Sequence, residues 1–276
     1  MKKKLISLSL ALALGLSLAA CGGKADPTPT PDAPDGSPTV ESDLAYVKDK
    51  GTLIVGMTDF APMDYKDGGD EWIGFDADMA KAFAESLGVQ AEFLELADWD
   101  AKSMELDTKA IDVVWNGMTL TDDVKALMST SEPYCLNGQV VVVNKAVADQ
   151  YQTKESLSAL KFAVENGSAG AEQLDELNIP YTAMQNQAAA LMEVASGASD
   201  AAVIDLLMAG AMIGEGTSYP DLTYTVQLND EEYGVGFRLG SDLVEAFNDW
   251  WKEAYDAGTV METAKTYGVQ ESIIEK

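Results

Sequence analysis

Residues 111–134, IDVVWNGMTLTDDVKALMSTSEPY, constrain the fold more than any other stretch. An apolar, β-branched run ends at Trp115 and reads as a buried strand. Asn116-Gly117 breaks it into a polar turn. Thr121 then stands as an N-cap, with Asp122 and Asp123 in the first turn of a helix, where the dipole favours negative charge. A strand feeding a helix in this way sets backbone N–H groups and hydroxyls at the C-terminal edge of a sheet. That edge is where open α/β sheets bind ligands.

The same kind of unit recurs along the chain. Residues 43–50 read as a short helix or turn, and Gly51 introduces the strand LIVGM. Residues 76–87 predict a helix with Met79, Phe83 and Leu87 four apart and Gly88 closing it. A strand over 89–96, a helix over 98–106 and the strand over 111–115 follow. Residues 139–143 are apolar without alternation, and after a break around 144–153 the series restarts. Strands are expected over 161–165, near Tyr181 and over 201–204, and helices over 169–177, 187–195 and 206–213, with Asn166-Gly167-Ser168 as a second polar turn. Residues 222–228 and 233–237 are strand-like, and amphipathic helices finish the chain over 243–255 and 260–267. Such alternation predicts α/β lobes, each a mostly parallel sheet flanked by helices. Two series predict two lobes, 41–137 with 230–276 and 138–229, and a small-molecule cleft between them.

The first residues belong to neither lobe. Lys2-Lys3-Lys4 precedes a short apolar run, which predicts a signal peptide over 1–20 and no membrane-spanning helix. Leu18-Ala19-Ala20-Cys21 resembles the bacterial lipobox, which implies cleavage before Cys21 and a lipid on its thiol. Pro27, Pro29, Pro31, Pro34 and Pro38 make residues 21–40 an extended tether. With Cys21 lipidated, Cys135 is a lone thiol and no intramolecular disulfide forms.

Charge narrows the partners. The chain carries 46 Asp and Glu against 18 Lys and Arg, a net charge of −28, and loss of the leader removes three of the lysines. Nucleic acid and anionic lipid surfaces are thereby excluded as electrostatic partners. There is no histidine, which removes His-based triads and His metal sites. The acids show no EF-hand spacing, so no metal and no cofactor are expected.

In order and spacing, several motifs together resemble one family, the solute-binding proteins of polar amino acid ABC transporters with the type II periplasmic-binding-protein fold. They are GTLIVG from Gly51, Phe60-Ala61-Pro62, GFDAD from Gly74, Ile111-Asp112, MTLT from Met118, SEPY from Ser131, Gly167-Ser168, residues 200–205, Tyr233-Gly234 and Gly258-Thr259. The resemblance implies a lipid-tethered receptor on the outer face of the cell membrane. It would carry an amino acid or related amine to a membrane permease, as a monomer and without covalent chemistry. It also implies site residues. Phe60 would pack on the ligand, and Asn116, Gly117 and Thr119 would hold its carboxylate. Gly167 and Ser168 would add donors, and Asp205 would take the α-ammonium. Beside these, Asp59 either reaches a cationic side chain or caps a turn, Trp115 is either core or ligand wall, and Gln139 can line the cleft from a crossover strand.

One position departs from the family. The usual Thr-x-Glu-Arg reads Thr121-Asp122-Asp123-Val124, so the arginine that clamps the carboxylate is absent, and Arg238, the single arginine, lies on a distant strand. Either Lys125 or extra backbone donors replace it, or the ligand is not an ordinary α-amino acid. Two other functions remain: an enzyme on this fold resembling a cyclohexadienyl dehydratase, which needs a carboxyl of raised pKa in the cleft, and a ligand-sensing lobe.

Overall fold

A computed structural model of the chain describes residues 42–66 and 68–276. The expected signal peptide, the Pro-rich tether and the lipidation site Cys21 lie outside the described residues.

The first sheet opens with β1 (Thr52–Met57), β2 (Gln90–Glu95) and β3 (Val113–Thr119), joined by the helices Phe75–Leu87 and Lys102–Asp107. Two short strands follow, β4 (Ser129–Thr130) and β5 (Cys135–Asn137). The chain then crosses into a second sheet of β6 (Gln139–Asn144), β7 (Phe162–Glu165), β8 (Tyr181–Met184), β9 (Ala201–Asp205) and β10 (Leu222–Gln227), and returns as β11 (Glu231–Phe237). The strand orders are β2-β1-β3-β11-β4, with β5 on β11, and β10-β6-β9-β7-β8. The expected two-lobed α/β architecture is observed. β1, β2 and β3 run parallel, as do β7, β8 and β9, but β6, β10 and β11 pair antiparallel. These are the strands next to the crossings, where a short connection leaves no room for the helix a parallel return requires.

The crossings lie side by side: Gln139 N donates to Asn229 Oδ1 at 2.7 Å and Leu228 N to Gln139 O at 2.7 Å. The C-terminal helices Leu243–Asp256 and Thr259–Tyr267 return to the first sheet, where Phe247 and Trp251 meet Trp115 at ring-centroid distances of 5.0 and 6.1 Å.

β3 differs from expectation in a way that shapes the site. It continues through Asn116-Gly117 to Thr119 instead of turning there. Its pairing with β11 slips between Gly234 and Gly236, so the expected break becomes a bulge inside the strand, with Gly117 at φ 54°. The Asn116 side chain continues the ladder to β1: its Oδ1 accepts from Thr58 N at 2.9 Å and its Nδ2 donates to Thr58 O at 3.0 Å. The expected N-cap is present, with Thr121 Oγ1 accepting from Val124 N at 3.2 Å ahead of the helix Asp122–Leu127.

Candidate functional site

The C-terminal ends of β3, β7 and β9 meet at one cavity of about 30 Å³, lined by residues of both sheets. That volume holds a water or two. Anything larger therefore enters only as the two sides separate, and the groups on the walls set what can be held.

Of the expected residues, Asn116, Gly117, Thr119, Gln139, Gly167, Ser168 and Asp205 line this cavity. Several are already engaged. Gly117 N donates to Asp76 Oδ2 at 2.6 Å, and Thr119 Oγ1 to Glu231 Oε1 at 3.0 Å. Ser168 caps the helix Ala169–Glu176, its hydroxyl accepting from Ala171 N at 3.2 Å. Asp205 is the most heavily bonded: its carboxylate accepts from Gln139 at 2.9 Å and Tyr233 at 2.7 Å, and also from Asn137 and Gln187. Burial, with Glu231 close by, holds its pKa well above the carboxylate range.

Three expected residues lie elsewhere. Trp115 is fully buried among Phe83, Tyr134, Phe247 and Trp251, so it is core and not a ligand wall. The bulge turns Asn116 to the cavity and leaves the preceding indole on the opposite, helix-covered face. Phe60 is buried beneath the site, edge-on to Tyr233 at 6.3 Å, and does not reach the lining. Asp59 also lies outside the lining; burial first, then Glu95, raises its pKa, and Lys66 opposes. Lys125 is exposed on the helix Asp122–Leu127 and does not replace the missing arginine, while Val124 does line the cavity. Arg238 is spent in the first lobe on Asp43, at 2.9 Å, and on the carbonyls of Leu106 and Ile111.

The structure adds Lys102, Glu165, Glu172 and Gln187 to the lining. Glu165 ends β7, 3% exposed, and accepts from Thr58 Oγ1 across the cleft at 3.2 Å. Burial raises its pKa to about 7 against the pull of Thr58 and Lys102. Its place at the end of a predicted strand, just before the Asn166-Gly167-Ser168 turn, was a usable signal. Lys102 carried none, since a lysine in a short helix reads as a solvated charge.

Beneath the bulge lies a second buried layer. Asp76 Oδ2 accepts from Gly117 N and from Tyr134 Oη at 2.7 Å, and Asp64 Oδ2 accepts from Asn116 Nδ2 at 2.8 Å. Burial raises both pKa values, that of Asp76 to about 7. These carboxyls hold the bulge in place and do not face the cavity.

The sequence profile of the bacterial extracellular solute-binding proteins, family 3, matches residues 53–270. The L-cystine-binding protein TcyJ of Escherichia coli K12 is 29% identical over 221 residues, covering 79% of this chain and 82% of that one. The arginine-binding extracellular protein ArtP of Bacillus subtilis 168 is 31% identical over 227 residues, covering 79% and 86%. Among solved structures, the P235GK mutant of ArgBP from T. maritima superposes with a TM-score of 0.76 at 30% identity over 82% of this chain and 98% of that one. The ancestral amino acid-binding protein AncCDT-1, a precursor of cyclohexadienyl dehydratase, gives 0.74 at 32% over 82% and 99%. With most of its length matched and its cleft at the ends of two facing sheets, this chain belongs to the bacterial extracellular solute-binding proteins, family 3.

Proposed function

We propose that this chain is the substrate-binding component of an ABC importer, tethered through Cys21 at the outer face of the cell membrane, and that it captures an amino acid with a positive charge. The observation that carries this reading is the cavity wall: three acidic side chains, Glu165, Glu172 and Asp205, line it with one basic side chain, Lys102. Such a wall matches a ligand with more positive than negative groups. Relatives named for arginine and histidine support it. Glu165 is the first acid for the ligand's cationic group, because Asp205 already accepts from four side chains. Residues 41–137 with 230–276, and 138–229, are the two bodies that part to admit it.

A second reading, acid catalysis on the same fold, has one observation in its favour, the Glu165 carboxyl raised to about 7 in the cleft. One experiment separates the two. The purified protein is screened by thermal shift against the twenty amino acids and a set of amines, with calorimetry on each hit, and the ligand is recovered and identified by mass. A ligand at a hundred times its Kd stabilises the fold by about 2.7 kcal/mol. A basic amino acid that stabilises and returns unchanged is the expected result; a ligand recovered altered transfers the case to catalysis.

A further inference from the structure

Lys102 is buried without a counter-ion. It is 8% exposed, and among the described residues no carboxylate lies within ion-pair distance of its Nζ. Its hydrogen bonds are two long ones, 3.3 Å each, to the carbonyls of Trp99 and Gly167, and its Nζ sits 4.9 Å from the centre of the Trp99 ring. Two carbonyls use two of an ammonium's three N–H donors, and poorly. Burying a charge in this state is costly unless an opposite charge joins it. The desolvation registers as a lowered pKa, which Asp100, Glu165, Glu172 and Asp98 oppose from further off.

The position of this cation matters as much as its isolation. Lys102 and Val124 line the same cavity, and among the described residues Lys102 is the one Lys or Arg that does so. Three nearby backbone donors are committed: Gly117 N to Asp76, Ser168 N to Glu165 O at 3.3 Å, and Ala171 N to the Ser168 hydroxyl. Among the described residues of the lining, Lys102 is the charged donor that a ligand carboxylate meets, and its donor capacity is not fully used.

We infer that Lys102 is the carboxylate receptor of the site: it forms an ion pair with the ligand's carboxylate in the cavity that Val124 also lines, and it restricts the ligands to amines that also carry a carboxylate. This rests on the proposed amino-acid-binding function and assigns one end of the ligand; Glu165 takes the other. A ligand of this class supplies the direct ion pair that Lys102 lacks among the described residues, so binding offsets part of the cost of the buried charge as well as adding a bond. Lys102 also bridges the sheets through Gly167 O, which leaves a competing role as a purely structural latch, and the test must separate the two.

The test pairs each amino acid with its decarboxylated amine, L-arginine with agmatine and L-histidine with histamine, in calorimetric titrations of wild type, Lys102→Met, Lys102→Arg and the double variant Lys102→Met with Val124→Arg. Methionine keeps the apolar stem and volume, and unfolding midpoints confirm that each variant folds. The expected result is a loss of about tenfold to a hundredfold in amino acid affinity for Lys102→Met, from one charge-assisted bond, with amine affinity unchanged. Arginine at 102 restores the discrimination, and arginine at 124 restores it from a second position in the lining. Equal losses for amino acid and amine identify a latch and overturn the assignment. So does a wild type that binds the amine as tightly as the amino acid, which would leave a cleft receptor of amines standing. Wild type that binds neither member of any pair overturns the amino acid reading itself, whatever the variants do.

Discussion

Glu165 and Trp115 are both buried close to the cleft, yet only Glu165 carries a charge whose cost depends on what fills the cleft. Its pKa of about 7 lies above the usual 4.5 because burial penalises the carboxylate. A carboxyl that holds its proton more tightly when folded stabilises the fold fully below pH 4.5, and that contribution is lost as pH rises through 7. The ligand-free protein is therefore expected to lose thermal stability between pH 5 and 8. A cationic ligand reverses the trend, since it pairs with the ionised form, so its affinity rises over the same window. Glu165→Gln should flatten the rise in affinity measured by calorimetry at a series of pH values. Part of the stability slope survives in that variant, because Asp76 is raised to about 7 by its own burial. An affinity profile unchanged by Glu165→Gln would remove this residue from ligand binding.

The bulge in β3 shows how an element aims a site. Gly117 sits at φ 54°, and a Cβ there would lie 2.5 Å from Phe60 Cε1 and 3.0 Å from Tyr233 Cε2. Gly117→Ala combines an unfavourable backbone conformation with overpacking, roughly 2–4 kcal/mol of destabilisation. Urea unfolding measures it, and a loss under about 0.5 kcal/mol, the scale of an indifferent surface change, would mean the bulge is not held as described. The same element marks how far the sequence could be read. The β-branched run, the Asn-Gly irregularity and the Thr121 cap were legible because each is local. Whether Asn116-Gly117 formed a turn or a bulge was not, because β11 arrives from residues 231–237 and supplies the partners that keep β3 extended to Thr119. The sequence does not decide between core and wall for Trp115 for the same reason: its neighbours Phe247 and Trp251 come from the far end of the chain. Lys102 was invisible, since its burial depends on Gly167 and Glu172 of the other lobe.

At the scale of the molecule, function rests on how closely the two lobes approach. Thr58 donates to Glu165, Asn166 Nδ2 to Asp98 Oδ1 at 3.1 Å, and Lys102 to Gly167 O, all across the cleft. Gly167 is the tightest of these approaches. It has φ 64°, and a Cβ on it would lie 2.6 Å from Asp100 Cβ and 2.7 Å from Asp100 Cα. The obstruction is backbone of the facing lobe and cannot rotate aside, so Gly167→Ala acts as a wedge that permits the open form and obstructs the closed one. Overpacking of about 1–3 kcal/mol then falls on closure and weakens ligand binding by roughly five- to a hundredfold. The strain of alanine at this φ is paid in both forms and lowers the melting temperature without changing affinity. Small-angle scattering separates the two effects: saturating ligand should contract the radius of gyration of wild type and leave that of Gly167→Ala near its ligand-free value. If the variant contracts as wild type does, Gly167 does not limit closure, and the contacts of Glu165, Asp98 and Lys102 across the cleft must set it instead.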